Sequence, residues 1–340
     1  MPGVRVGHCT LIEGDGALRT GQGPIRTGVT VVVPHNELPW KRPVFAGSHR
    51  LNGNGELTGL ENIRETGLLA TPIALTNTHS VGTVRDALVE IEASHRSAAE
   101  PFWSLPVVGE TWDGLLNDIN GFHVKPEHVC AAFDSASAGA VLEGNVGGGT
   151  GMICHGFKGG IGTSSRVLPT VDGAFTVGVL VQANHGARER LTIDGVPVGQ
   201  RVPPSVVPLP SATSSRGSII VVVATDAPLL PYQCVRLAQR AGLGIARTGG
   251  LGEHWSGDLF LAFATGNGDL PPPFLESNVP LTTNVAMLAN HLLTPLFAAV
   301  VEATEESIVN ALLAAETMTG RDGITAHALD AELLVSAMHR

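Results

Sequence analysis

Residues 211–229 read SATSSRGSIIVVVATDAPL, and the join at Gly217-Ser218 sets the problem. Six small or polar residues lead into Gly217, Ser218 stands alone before the apolar run 219–224, and Thr225-Asp226-Ala227-Pro228 closes it. A short run rich in β-branched residues and bounded by turn formers predicts a strand buried on both faces. Such a strand would hold a serine at its threshold rigidly. If the Gly217–Ser218 bond were cut, Ser218 would carry both a hydroxyl nucleophile and a free α-amine, whose pKa of ~7.7–8.0 suits a base at neutral pH. Gly217 can take backbone angles that side chains forbid. Read locally, the same residues also allow an ordinary serine in a turn.

Working outward, residues 202–217 (VPPSVVPLPSATSSRG) are rich in Pro and Ser and form the best linker candidate in the chain. Upstream, 173–186 (GAFTVGVLVQANHG) predicts a strand, and from Gly3 to Leu88 runs such as GVTVVVP and TPIALTNT predict strands and turns before a first helix near Ser80. That helix covers VRDALVEIEASHR, with Val84, Ala87, Leu88 and Ile91 at helical spacing. Downstream, PLLPYQCVRLAQRAGLG predicts a helix with Pro231 in its first turn and Leu237, Ala238 and Ala241 on its apolar face, before Gly242 and Gly244. SGDLFLAFATGN then predicts a second buried strand with a polar entrance. The last sixty residues predict two or three helices, with Pro295 as a break or kink and Gly320 as a C-terminal stop.

With 340 residues the chain allows one large α/β domain or two, and 43% hydrophobic against 15% charged residues supplies an extensive core. The formal charge of −10 argues against a nucleic-acid surface, which needs clustered Lys and Arg. No membrane span is predicted, because no window approaches the ~18 uninterrupted apolar residues required. The N-terminus MPGVRVGHCTLIEGDG lacks the pattern of a secretory signal, so a cytoplasmic protein is expected. Cys9, Cys130, Cys154 and Cys234 are scattered without C-x-x-C spacing, which predicts reduced thiols rather than a disulfide framework or zinc site.

Three other chemistries find no support. The Gly-rich segment GNVGGGTGMICHGFKGG suggests a phosphate loop, but Lys158 is followed by Gly159 where Ser or Thr belongs, so close backbone packing is the expectation. Among thirteen histidines no H-E-x-x-H or comparable pair appears, so no metal and no other cofactor is expected. No G-x-S-x-G elbow occurs.

The motifs RTGVT, GNGELTG, TPIALTNTHSVG, VVGETWDGLLNDI, GNVGGGTGMICHGFKGGIGTSSR, VGVLVQANHG and RGSIIVVVATDAPLLPYQ run in order along nearly the whole chain. Together they resemble the DmpA family of self-processing aminopeptidases, which includes L-aminopeptidase/D-amidases and β-peptidyl aminopeptidases. The resemblance implies an αββα four-layer sandwich of the DmpA/ornithine-acetyltransferase-like kind, similar to N-terminal-nucleophile hydrolases. It implies one catalytic domain over 1–340, cut between Gly217 and Ser218 into associated subunits 1–217 and 218–340. It also implies homo-oligomers, tetramers or larger, of cleaved protomers.

Carried onto this chain, the resemblance makes Ser218 the nucleophile and matches Asn184 to an asparagine that helps hold the oxyanion. Ser256 and Asp258 match a serine and an acidic residue that orient the nucleophile and its amine, although the family often has Glu at the latter position. Glu110 matches the acid that receives the substrate's free amino group. Trp112 departs from DmpA, which has tyrosine there; an indole offers only a ring N–H in place of the phenol hydroxyl. The single tyrosine, Tyr232, is a poor substitute. The implied activity is release of N-terminal residues from short peptides, amides or esters. A dedicated metabolite amidase (pantetheine-hydrolase-like), an aminoacyl transferase and a non-catalytic binding protein stay open as alternatives on the same scaffold.

Overall fold

The computed structural model describes residues 1–97, 101–169, 171, 173–211, 217–272 and 281–339, so the linker's residues 212–216 lie outside the described residues. In chain order the elements are β1 (Arg5–Glu13), β2 (Ile25–Val33), β3 (Val44–Gly53), α1 (Leu60–Thr66), β4 (Leu68–Leu69), β5 (Ile73–Asn77), α2 (Val81–Ser94), β6 (Val107–Thr111) and α3 (Pro126–Asp134). They continue through β7 (Ile153–Cys154), β8 (Phe157–Lys158), β9 (Gly160–Val167), β10 (Thr176–Asn184), α4 (Val198–Arg201), β11 (Ser218–Thr225) and α5 (Pro231–Arg247). The last are β12 (Gly257–Ala264), α6 (Leu293–Leu313), β13 (Met318–Thr319), β14 (Thr325–Ala326) and α7 (Ala331–Met338).

One sheet has the order β1-β2-β5-β6 and the other β4-β3-β12-β11-β10-β9. Alternation along β11 explains why they stack. Ile220 and Val222 join Leu259, Leu261 and Leu180 against Val32, Ile73, Leu75 and Val107 of the smaller sheet. Ile219, Val221 and Val223 point the other way, into α5 (Leu237, Ala241) and α6 (Leu296, Val300). Val29 and Val31 of β2 likewise face α2 and α3, through Val84, Leu88 and Val129. Helices, sheet, sheet and helices therefore form the four-layer αββα sandwich. Every residue of β11 is buried, as the uninterrupted apolar run predicts. Each such β-branched side chain stabilises the sandwich by roughly 1.5–3 kcal/mol relative to an exposed one.

Other expectations need correction. A short helix, α1, precedes the one near Ser80; Gly59 and Gly67, both with positive φ, bound it. Gly242 and Gly244 lie inside α5 rather than closing it; a Cβ at Gly244 would come within 2.6 Å of Thr304 Cβ and the Val301 carbonyl of α6, whereas one at Gly242 would find nothing nearer than 3.6 Å. Tertiary packing sets Gly244, not a cap. Pro295 sits in the first turn of α6, where its missing N–H costs nothing, and breaks no helix. Gly320 stops no helix; it follows β13 and precedes a 3-10 turn. Among the described residues no helix is long and apolar enough to cross a membrane.

Two glycine substitutions separate helix propensity from packing. Gly82, near the start of α2, has nothing within 4 Å of a built Cβ, so Gly82→Ala should stabilise by about 0.4–1 kcal/mol. Gly244→Ala should destabilise by about 1–3 kcal/mol through overpacking against α6. Thermal unfolding reads both, and a stabilising Gly244→Ala would show that the α5–α6 contact is not as close as described.

Candidate active site

The site grows from sheet register. β10 runs antiparallel to β11 with Asn184 opposite Ser218, and β12 lies parallel on β11's other side, with Asp258 opposite Ile219. Ser218, 5% exposed, is thus held between two strand ends. Its Oγ accepts from the Gly257 N–H at 2.9 Å. A Cβ at Gly217 would fall 1.7 Å from the Asn184 carbonyl oxygen and 3.3 Å from Asn184 Nδ2. Only glycine fits directly before Ser218.

Asn184 is oriented by two unambiguous backbone partners. Its Oδ1 accepts from Ile153 N–H at 2.7 Å and its Nδ2 donates to the Trp112 carbonyl at 3.0 Å. One Nδ2 hydrogen is thereby used, which leaves the second for another acceptor.

Ser256 and Asp258 fall on the same side of the chain as it enters β12. Ser256 Oγ donates to Asp258 Oδ1 at 2.6 Å, while Oδ2 is buried without a hydrogen-bond partner. Burial pushes the Asp258 carboxyl up to about 6, against the opposing pull of the Ser256 hydroxyl and the Ile219 N–H.

Glu110 reaches the site from the other sheet, on β6, whose Gly109 packs directly on Ile220 of β11. Its Oε1 accepts from Glu56 N–H at 2.9 Å and its Oε2 from the Thr78 hydroxyl. Burial raises its pKa, and the two donors oppose that rise. Glu110, Thr78, Glu56, Trp112, Trp255 and Ser218 share one open cavity of about 620 Å³. Gly55 keeps its floor open, since a Cβ there would lie 3.0 Å from Glu110 Oε1 and 3.2 Å from Gly257 Cα. A largely desolvated carboxylate facing such a cavity suits a cationic group.

Trp112 is 40% exposed as a cavity wall, and its indole folds over Gly114. Its contact with Asn184 is through the backbone carbonyl, not the ring. Tyr232 bonds Asn290 at 2.8 Å from α5 and does not line the cavity.

The sequence reading did not single out Thr78, Glu56 or Lys158's structural part. Lys158 is fully buried, and its Nζ donates to the carbonyls of Gly149, Met152 and Gly159 at 3.3, 2.9 and 2.8 Å. Burial lowers its pKa to about 7, while three acceptors favour the ammonium. The Gly-rich loop it ties down packs as expected of close backbone contact: a Cβ at Gly148 would meet Gln182 Oε1 at 2.1 Å. Among the described residues, Cys154, His155 and His185 bring three possible metal-ligating atoms together, outside the cavity. Separation by some thirty positions hid that cluster from motif spacing.

A family model described as peptidase family S58 matches residues 1–326. β-Peptidyl aminopeptidase BapA of Sphingosinicella microcystinivorans is 47% identical over 336 residues, covering 96% of this chain and 83% of that protein. BapA of Sphingosinicella xenopeptidilytica is 44% identical over 349 residues, covering 99% and 85%. Among solved structures, a Burkholderia sp. β-aminopeptidase superposes with TM-score 0.93 at 55% identity, covering 99% of this chain and 92% of that one. The L-aminopeptidase D-Ala-esterase/amidase of Ochrobactrum anthropi, described as a prototype for the serine aminopeptidases and a new variant among the Ntn-hydrolase fold, gives 0.86 at 44%, with coverage of 99% and 92%.

The Asp258 carboxyl yields a stability test. Its folded pKa of about 6 lies above the ~3.9 of an unfolded aspartate, so the stability it contributes is full below pH ~4 and is lost as pH rises through ~6. Asp258→Asn, made in a Ser218→Ala chain to avoid a free amine beside it, should gain on its parent by about 1–3 kcal/mol between pH 4 and 7. Urea unfolding at both pH values measures the gain; the same difference at each would rule the effect out.

Proposed function

The chain belongs to peptidase family S58 and is a serine aminopeptidase, and on that premise we propose that it cuts itself between Gly217 and Ser218 and then works through the new N-terminus. In the cut, Ser218 Oγ attacks the Gly217 carbonyl, the acyl group moves from nitrogen to oxygen, and water hydrolyses the ester. Products are a Gly217 carboxylate and a free Ser218 amine. The pieces, 1–217 and 218–340, stay together as one catalytic domain.

In turnover the Ser218 amine takes the hydroxyl proton as Oγ attacks the substrate carbonyl, and returns it to the departing amine. Asn184 Nδ2 donates its second hydrogen to the oxyanion, a contact of a kind whose loss costs about 2.7–4 kcal/mol in a well-studied protease. Asp258 and Ser256 orient the amine, and water releases the acyl group. Glu110 pairs with the substrate's ammonium. The observation that carries this reading is the placement of Ser218, between Asn184 and Gly257, in the same cavity as the two-donor carboxylate Glu110.

Short peptides, amides or esters with a free amine are the proposed substrates. The β-peptidyl names of the Sphingosinicella relatives support including peptides with an N-terminal β-residue. Assembly into homo-oligomers belongs to the same proposal.

Mass spectrometry of the purified protein should find a fragment beginning Ser-Ile-Ile-Val. Ser218→Ala should stay one chain and be inactive; splitting of that variant at the same bond would refute a serine-driven cut.

For selectivity, N-acetylation of an aminoacyl p-nitroanilide removes the charge-assisted hydrogen bond to Glu110, worth roughly 1.5–3 kcal/mol, or about ten- to a hundredfold in kcat/KM. Glu110→Gln should narrow that gap by weakening the free-amine substrate while leaving self-cleavage intact. Equal turnover of free and acetylated forms by the unmodified enzyme would overturn the role given to Glu110.

A further inference from the structure

Next to Asn184, whose Oδ1 accepts from Ile153 N–H, β7 and β8 form a hairpin whose two-residue turn is His155-Gly156. Both turn residues have positive φ, 49° and 70°. Turns of this type favour Asn-Gly, so histidine at the first position is a less usual choice. Its side chain is completely buried, as is that of Cys154 beside it, and the backbone N–H of His155 donates to the His185 carbonyl at 2.7 Å. That contact brings in the third member, His185, the residue after Asn184.

One ligating atom from each of Cys154, His155 and His185 lies within 4.8 Å of the others. The ring nitrogens are poorly satisfied. His155 Nδ1 donates to the Ala187 carbonyl at 3.1 Å, which leaves Nε2 as its acceptor, and that atom has no hydrogen-bond partner in the chain. His185 Nε2 is also buried and unpartnered, while its Nδ1 stands 3.8 Å from Cys154 Sγ. Two unpartnered nitrogens on neighbouring buried imidazoles are costly. An Nδ1–H held by a backbone carbonyl is also the arrangement that presents Nε2 to a metal.

We propose that Cys154, His155 and His185 supply three protein ligands to one soft d10 cation, Zn²⁺, that clamps the β7–β8 hairpin to the end of β10. Burial keeps both imidazoles neutral, the form that ligates, with His155 pushed down to about 4 and His185 well below its usual value. The thiol is pushed up to about 12, so binding replaces its proton: Zn²⁺ enters, the Zn–S bond forms and one H⁺ leaves. Thiolate and Zn²⁺ leave a single positive charge. The Glu253 carboxylate acts on both Cys154 and His155 and favours that charge, while Lys158 near Cys154 and Arg188 and Arg190 near His155 oppose it. Zn–S and Zn–N bonds of about 2.3 and 2.0–2.1 Å require the three atoms to close by roughly 1 Å on loading. Cu⁺ is the one other common ion that this soft donor set suits.

The site takes no part in bond making. It acts on position, because Ile153 N–H holds Asn184 Oδ1 and residues 153–155 and 184–185 are the pieces clamped. The inference stands apart from the catalytic reading and does not rest on it.

The test uses the full chain grown in medium containing zinc, cobalt or copper and desalted into metal-free buffer. Elemental analysis should find about one zinc per chain, falling at least about tenfold in Cys154→Ala and in His155→Gln. Cobalt-grown protein should show a thiolate-to-cobalt charge-transfer band that Cys154→Ala lacks. Copper retained in place of zinc when both are offered would overturn the assignment of the site to Zn²⁺. Background metal in the folded unmodified protein from all three media overturns the proposal, and so does metal content unchanged in both variants. If the variants do not fold, the cobalt band in the unmodified protein decides alone, its absence counting against the site.

Discussion

Strand β11 has no solvent face, and everything at the site is measured from it. Its alternate residues feed two different apolar layers, so a shift by one position would put Ile219 where Ile220 belongs and misplace both sets at once. With that register locked, the first residue of the strand has one possible location. The rigidity of Ser218 is thus a product of hydrophobic packing several residues downstream. The polar contacts around Ser218, from Gly257 N–H and the Asn184 backbone, add direction to a position already determined.

Electrostatics around this anchor runs against stability. Asp258 and Glu110 are both buried carboxylates with raised pKa values, and Asp258 keeps one oxygen unpartnered. A fold selected only for stability would place amides or apolar groups there. The hydrogen bonds from Ser256, Thr78 and Glu56 N–H reduce the cost without removing it. Lys158, by contrast, has its three donors matched to three carbonyls, and it secures the loop next to Ile153, which in turn fixes Asn184.

Much of this was legible in the sequence, for identifiable reasons. The buried strands β11 and β12 announce themselves because both faces are apolar, and α2 and α5 because their apolar positions repeat at helical spacing. The residues Ser218, Asn184, Glu110, Ser256 and Asp258 could be listed through extended motifs; here the fold gathers them at one end of the two sheets. What failed was punctuation. Gly244 reads as a helix stop but is a helix contact, Pro295 reads as a break but sits in a first turn, and Gly320 lies outside any helix. Each reading needed to know which surface faces a neighbour, information that a local window lacks. The same applies to Thr78 above Glu110 and to Cys154, His155 and His185, which meet only after β7–β8 folds onto β10.

The order of strands in the larger sheet has a consequence for assembly. Reading β4-β3-β12-β11-β10-β9 across position 217, the outer pairs on each side come from the part of the chain before the proposed cut and the central pair from the part after it. The two pieces are interleaved rather than docked. Made separately, the shorter would carry a two-stranded ribbon with both edges bare, and the longer two half-sheets with a gap between them, each an invitation to aggregate. A cut at this position would therefore have to follow folding. Separately expressed halves are poor starting material for rebuilding the enzyme, while a chain nicked after it has folded gives up one covalent link and keeps both ladders.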